Sequence, residues 1–240
     1  MGQEQSGLNL FLLIGQSNMA GRGEVEAQDR EVIPGVVALN KELAWVAAVD
    51  PIHFDKPIAG VGMARGFART LRRMAPGAKI GLIPAALGGS SLEEWKPGGA
   101  LFTAAVQRVK AARTAGELRG ILWHQGEAEC GEETRARSYS ARWWAMMNAL
   151  RGELGAGDVP VMVGELGEFL VGRADGKQPF AQVVNEQLAL IPLRGRRAIF
   201  VSAAGLGHKG DDLHFSSAAL RELGRRYGLA YCTLDASWGG

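Results

Sequence analysis

Residues 10–23 read LFLLIGQSNMAGRG. The apolar run Phe11-Leu12-Leu13-Ile14 passes without a break into Gly15-Gln16-Ser17-Asn18-Met19-Ala20-Gly21. A short apolar segment closed by glycine and small polar residues predicts a buried strand leaving the core. Ser17 then stands at the carboxyl end of the first strand, where open α/β sheets place their ligand crevice. A serine there is a candidate nucleophile. Serine is also at home in turns for structural reasons, so the assignment needs partners from elsewhere in the chain.

Outward from this first strand, residues 8–14, the pattern alternates. Strands are expected at 36–39, 79–84, 118–123, 160–163 and 197–202, with an edge strand at 229–234. Helices are expected at 58–74, 101–112, 133–150, 180–191 and 215–228. Asp55 and Pro57 fit the cap and first turn of the helix over 58–74. Residues 22–34 and 45–57 read as loops, the second carrying His53 and Asp55 toward a pocket. This β-α-β-α order, free of repeats and low-complexity linkers, predicts one α/β domain over residues 1–240. Its sheet is mostly parallel and has helices on both faces.

Composition narrows the function classes. The chain has 240 residues, 47% hydrophobic and 22% charged, as in an ordinary globular protein. Its 34 glycines are roughly double the usual share of about 7% and suit tight turns that hug a ligand. A net charge of +2 gives no field that points to nucleic acid or an anionic membrane. No run has the length of a membrane span. The two cysteines, Cys130 and Cys232, belong to no CxxC pattern; two free thiols is the plainer reading and a disulfide between them the alternative. The start MGQEQSG lacks the basic and apolar regions of a signal peptide. The expectation is a cytoplasmic protein or a trimmed secreted one.

Four strand ends carry small or polar groups: Gly15-Gln16-Ser17-Asn18, Gly88-Gly89, His124-Gln125-Gly126-Glu127, and the segment with Asp211 and His214. Parallel strands deliver all four to one edge of the sheet. Acyl transfer needs a nucleophile, a base and a group that orients the base. His214 is the candidate base, and Asp211 the candidate orienting carboxylate, with Asp212 as the alternative. The structural reading of the same segment is a capped turn with His214 packed on the last helix. Donors toward a developing oxyanion are the N–H of Ser17, the N–H of Gly88 or Gly89, and the side-chain amide of Gln125. Gln16 and Asn18 are expected to fix the nucleophile turn. Glu127, beside His124, either orients a base, binds a sugar hydroxyl or braces the Gln125 turn. Trp95 either offers an apolar wall to a sugar ring or covers core.

Other chemistries fit less well. His53, His124, His208 and His214 are dispersed, with no HExxH and no cysteine pair, so no metal site is expected. The first strand does not end in GxGxxG; GxxxxGK[ST] and GxSxG are absent from the chain, and no cofactor is expected. Two carboxylates flanking a pocket suit a glycosidase. Glu127 with Glu165 or Glu168 is that alternative, and a pocket that binds an acetylated sugar without cleaving it is a third.

GQSNMAG at residues 15–21, Gly88-Gly89-Ser90-Ser91, WHQGE at 123–127 and DDLHF at 211–215 together resemble the four blocks of the SGNH hydrolase superfamily. More closely, they resemble the carbohydrate acetylesterases that include sialate O-acetylesterases and the acetylxylan esterases of carbohydrate esterase family 6. The resemblance covers nearly the whole chain. It implies a flavodoxin-like three-layer α/β/α sandwich with about five strands, and metal-free hydrolysis of sugar acetyl esters through an acyl-enzyme. It also implies Ser17 as nucleophile, His214 as base and Asp211 as third member. Gly89, or Gly88, and Gln125 would complete the oxyanion hole with the Ser17 amide. The partner it implies is an acetylated carbohydrate.

Overall fold

In a computed structural model, residues 7–195, 197–235 and 238 are described; the start of the chain that bears on a signal peptide lies largely outside them. The chain runs β1 (Leu8–Gly15), α1 (Ser17–Ala20), β2 (Val36–Leu39), β3 (Trp45–Ala47), α2 (Ala64–Met74), β4 (Ile80–Pro84), α3 (Ala100–Ala112), β5 (Gly116–His124), α4 (Glu133–Arg137), α5 (Tyr139–Glu153), β6 (Val161–Gly164), α6 (Ala181–Arg194), β7 (Ala198–Val201) and α7 (Ser217–Leu234). The strands form one sheet in the order β3-β2-β4-β1-β5-β6-β7. All neighbours pair in parallel except β2 and β3.

β1 is the central strand, and alternation along it separates the two layers. Leu10, Leu12 and Ile14 face a cluster with Phe102 and Val109 of α3, Trp143 and Met147 of α5, and Leu188 of α6. Phe11 and Leu13 face the other cluster, with Phe67 and Leu71 of α2 and Leu220 and Tyr231 of α7. A strand covered on both faces is apolar throughout rather than alternating, which is why residues 10–14 form a continuous hydrophobic run. From β1 the chain builds outward to β2 and β4 on one side, then to β5, β6 and β7 on the other. β1 therefore sits at the topological switch, where such sheets open a crevice at the strands' carboxyl ends. The register levels those ends: Leu13 pairs with Pro84, and Gly15 with His124.

The three-layer architecture agrees with the expectation, and several details differ. The sheet has seven strands, not about five. Trp45–Ala47, expected as loop, is a short antiparallel edge strand. α2 starts at Ala64, and Asp55 does not cap it; its carboxylate is engaged elsewhere. The helix expected over 133–150 is divided at Ser138, whose hydroxyl bonds the Thr134 carbonyl and competes with the helical ladder. Residues 229–234 are not an edge strand but the last turns of α7. There Tyr227 and Tyr231 extend the buried stripe of Leu220 and Leu223 at helical spacing. Gly224 lets this helix lie close on α2, since a Cβ there would fall 2.1 Å from the Met63 carbonyl oxygen. Cys130 and Cys232 are free thiols.

Candidate functional site

Ser17 is the first residue of α1, two residues beyond the end of β1. The turn that presents it is tight. Gly15 has φ +139°, and a Cβ on it would meet the His124 carbonyl oxygen at 2.0 Å. Gln16 continues the parallel ladder by donating its N–H to His124 O at 3.0 Å. Its side-chain oxygen accepts the Ala128 N–H at 3.3 Å. Ser17 itself is 7% exposed. As the first helical residue, it has no carbonyl one turn earlier for its N–H to bond.

His214 comes from the segment between β7 and α7. Its Nε2 lies 3.1 Å from Ser17 Oγ, and its Nδ1 lies 2.7 Å from Asp211 Oδ2. The other oxygen of Asp211 accepts the main-chain N–H groups of Leu213 and His214, at 3.0 and 2.8 Å. An ionised carboxylate only accepts, so His214 carries its proton on Nδ1 and turns a bare Nε2 toward the serine hydroxyl. Burial raises the Asp211 carboxyl, but the hydrogen bonds from the His214 amide and imidazole and the Leu213 amide outweigh it, leaving the group at about 2. Burial lowers the His214 imidazole below its usual value, against the opposing pull of Asp211. Asp212, the alternative orienting group, faces away: its Oδ1 is 3.2 Å from His208 Nε2.

Asn18 locks this segment to the serine turn. Its Oδ1 accepts the Phe215 N–H at 3.1 Å, and its Nδ2 donates to Leu213 O at 3.2 Å and to Glu127 Oε1 at 2.5 Å. The residues on either side of His214 are thus pinned by one side chain adjacent to Ser17. Glu127 sits beneath, 4% exposed, and burial pushes its carboxyl up to about 7, with the Asn18 bond pulling the other way. Of its readings, bracing is the one this geometry matches. Glu165 accepts from Ser202 and the Ala203 N–H, and Glu168 from the Gly205 N–H. These two carboxylates hold the turn after β7.

The two N–H groups of the glycine turn after β4 differ in their partners. Gly88 N–H donates to Asp55 Oδ2 at 2.8 Å. That carboxylate also takes the Arg22 guanidinium at 2.6 Å, and both side chains are 2% exposed. Gly89, at φ +86°, has an N–H with no hydrogen-bond partner among the described residues. Gln125 is fully buried beside this turn; its Nε2 donates to Ser90 O at 3.2 Å, and its Oε1 lies 2.8 Å from the Tyr139 hydroxyl. One N–H of the Gln125 amide is left over.

Trp95 matches the second of its two readings, core cover, and His124 lies in the interior behind the crevice. Trp95 offers no wall to a ligand. It is fully buried edge-to-face against Trp123, and its indole N–H bonds Ser90 Oγ at 3.0 Å. His124 does not face the crevice either. It is fully buried, its Nδ1 lies 3.2 Å from the Tyr227 hydroxyl, and burial lowers it to about 3, so it is neutral. Sequence reasoning placed Asp55 in a pocket-lining loop but missed Arg22 and its pairing with that carboxylate. The pair is 33 positions apart, and only the arginine directly after GQSNMAG hints at it.

A family described as carbohydrate esterase, sialic acid-specific acetylesterase, matches residues 7–233. A probable carbohydrate esterase of Arabidopsis thaliana is 31% identical over 242 residues, covering 92% of this chain and 89% of that protein. A solved Arabidopsis thaliana structure is similar at a TM-score of 0.85 and 27% identity, covering 95% of this chain and 98% of the other. The structure of NanS shares the fold at a TM-score of 0.81 and 18% identity, covering 97% and 98%. The chain thus belongs to the sialic acid-specific acetylesterase family of carbohydrate esterases and is a carboxylic ester hydrolase.

Proposed function

We propose that this protein is a serine esterase that removes O-acetyl groups from a carbohydrate through an acetyl-enzyme at Ser17. The observation that carries the reading is the unbroken line Asp211–His214–Ser17, at 2.7 and 3.1 Å. Its polarity suits acyl transfer: the serine proton has an acceptor in His214 Nε2, and the imidazolium then formed lies against an ionised Asp211.

Ser17 Oγ attacks the acetyl carbonyl carbon as its proton passes to Nε2. The carbonyl oxygen becomes an oxyanion, for which the free N–H groups of Ser17 and Gly89 and the spare N–H of Gln125 are the donors at hand. Collapse expels the sugar alkoxide, which takes the proton from Nε2 and leaves acetyl-Ser17. Water gives a proton to the same nitrogen, attacks the acetyl group, and acetate departs as Ser17 recovers its hydrogen. Gly88 does not share the donor role, because its N–H is held by Asp55. Arg22 and Asp55 are positioning residues that set the plane of the Gly88–Gly89 turn.

The direct test is acetate release from O-acetylated sialic acid and from acetylated xylo-oligosaccharides, with Ser17→Ala as control. Wild type is expected to release acetate from at least one, and the variant to fall at least about 10⁴-fold with an unchanged melting temperature. Undiminished release by the variant would reject the nucleophile. Because His214 must be neutral and is shifted downward, kcat/KM should rise with pH along a limb centred below 6.5 and stay level through neutrality. A limb centred above that value would contradict the environment of His214. Asp55→Ala leaves the buried Arg22 guanidinium without its carboxylate, with the Gly21 carbonyl as its remaining acceptor, so it should cost about 3–5 kcal/mol of stability. Below its own melting range, that variant should lose kcat about 10²-fold with little change in KM, since the displaced turn serves the transition state. Steady-state kinetics and thermal unfolding read both effects.

A further inference from the structure

The carboxyl edge of the sheet continues past the Ser17 crevice. Beyond β4 lies a groove of about 610 Å³, walled on one side by the end of β2, the turn after it and Val46 and Ala47 of β3, and on the other by residues 51–59. That volume falls within the roughly 300–1,000 Å³ of small-molecule clefts. Two of its lining residues also touch the glycine turn of the candidate site. Asp55 accepts the Gly88 N–H, and Lys56 Nζ is the heavy atom nearest to where a side chain on Gly89 would begin, at 3.9 Å. Groove and crevice share this wall.

Strand order sets their separation. Only β4 stands between β1 and β2, and neighbouring strands lie about 4.8 Å apart, so the two strands' ends are about 10 Å from each other. A ligand that reaches the groove from Ser17 extends beyond the ring carrying the acetyl group. The lining is two-sided in character. Val46 and Phe54 are 43% and 42% exposed, and the Arg108 guanidinium lies over the Phe54 ring at 4.8 Å. Asn40, Lys41 and Lys56 add polar groups, and neither lysine's ammonium has a hydrogen-bond or ion-pair partner among the described residues. A pyranose is built the same way, with an apolar C–H face and a rim of hydroxyls. Aromatic side chains with polar neighbours suit such surfaces.

We infer that this groove is a subsite for the sugar residue next to the acetylated one, so that the enzyme acts better on acetylated oligosaccharides than on acetylated monosaccharides. The inference rests on the carbohydrate esterase reading and adds the extent of the substrate to it.

Val46→Arg fills the groove from an exposed position on the edge strand, and Phe54→Ala removes its aromatic face. Acetate release is measured from O-acetylated xylotriose and O-acetylated xylose, and from O-acetylated sialyllactose and O-acetylated N-acetylneuraminic acid, so that the two sugar classes form separate arms. In the arm that wild type hydrolyses, kcat/KM should favour the trisaccharide, and each variant should lower the trisaccharide-to-monosaccharide ratio about tenfold. A wild-type ratio near one, or a ratio that neither variant moves, overturns the groove and leaves the esterase reading standing. No release from any of the four sugars, with release from 4-nitrophenyl acetate, overturns the carbohydrate assignment itself and the groove with it.

Discussion

The side chain of Asn18 holds together two parts of the chain that lie nearly 200 positions apart. It accepts from Phe215 and donates to Leu213, so His214 is gripped on both sides by the residue next to Ser17. The His214–Ser17 contact spans 197 positions, and closing so long a loop has an entropic cost that the imidazole–hydroxyl bond alone does not offset. The grip makes sense of the layers beneath it. Glu127 anchors the Asn18 amide from the turn that follows β5, and the register of β5 on β1 sets both at the same height.

Burial and charge divide the polar groups of this edge into two kinds. His124 and Glu127 are enclosed, each tied to another protein group on one side; they shape the crevice without facing it. Asp211 and His214 remain partly open, with the carboxylate held ionised and the imidazole held neutral. In the proposed mechanism this arrangement readies a base at neutral pH and keeps its counter-charge in place. The glycine turn belongs to the first kind at Gly88 and to the second at Gly89, and the Arg22–Asp55 pair draws that line.

Much of this was legible in the sequence, because Ser17, Gly89, Gln125 and the Asp211–His214 segment each follow a strand whose apolar run is plain. Parallel order then brings them to one edge. What was not legible depends on packing. Trp95 lies in a polar, glycine-rich stretch, yet its ring turns inward because the Ser90 hydroxyl meets its N–H. Asp55 precedes Lys56-Pro57 and mimics a helix cap, while its true partner lies 33 positions earlier. Residues 229–234 look strand-like by composition, but Tyr231 continues the buried stripe of α7 against Phe11. β3 is three residues long and half-open to solvent, too short for alternation to reveal it.

The central claim is that the hydroxyl of Ser17 is the group that bonds to the substrate acyl carbon. Treatment of the full chain with a serine-directed phosphonate, followed by peptide mass analysis, tests it most directly. The account predicts a single adduct on Ser17, formed in step with loss of acetate release. An adduct on another residue, or full inactivation with Ser17 unmodified, would contradict it.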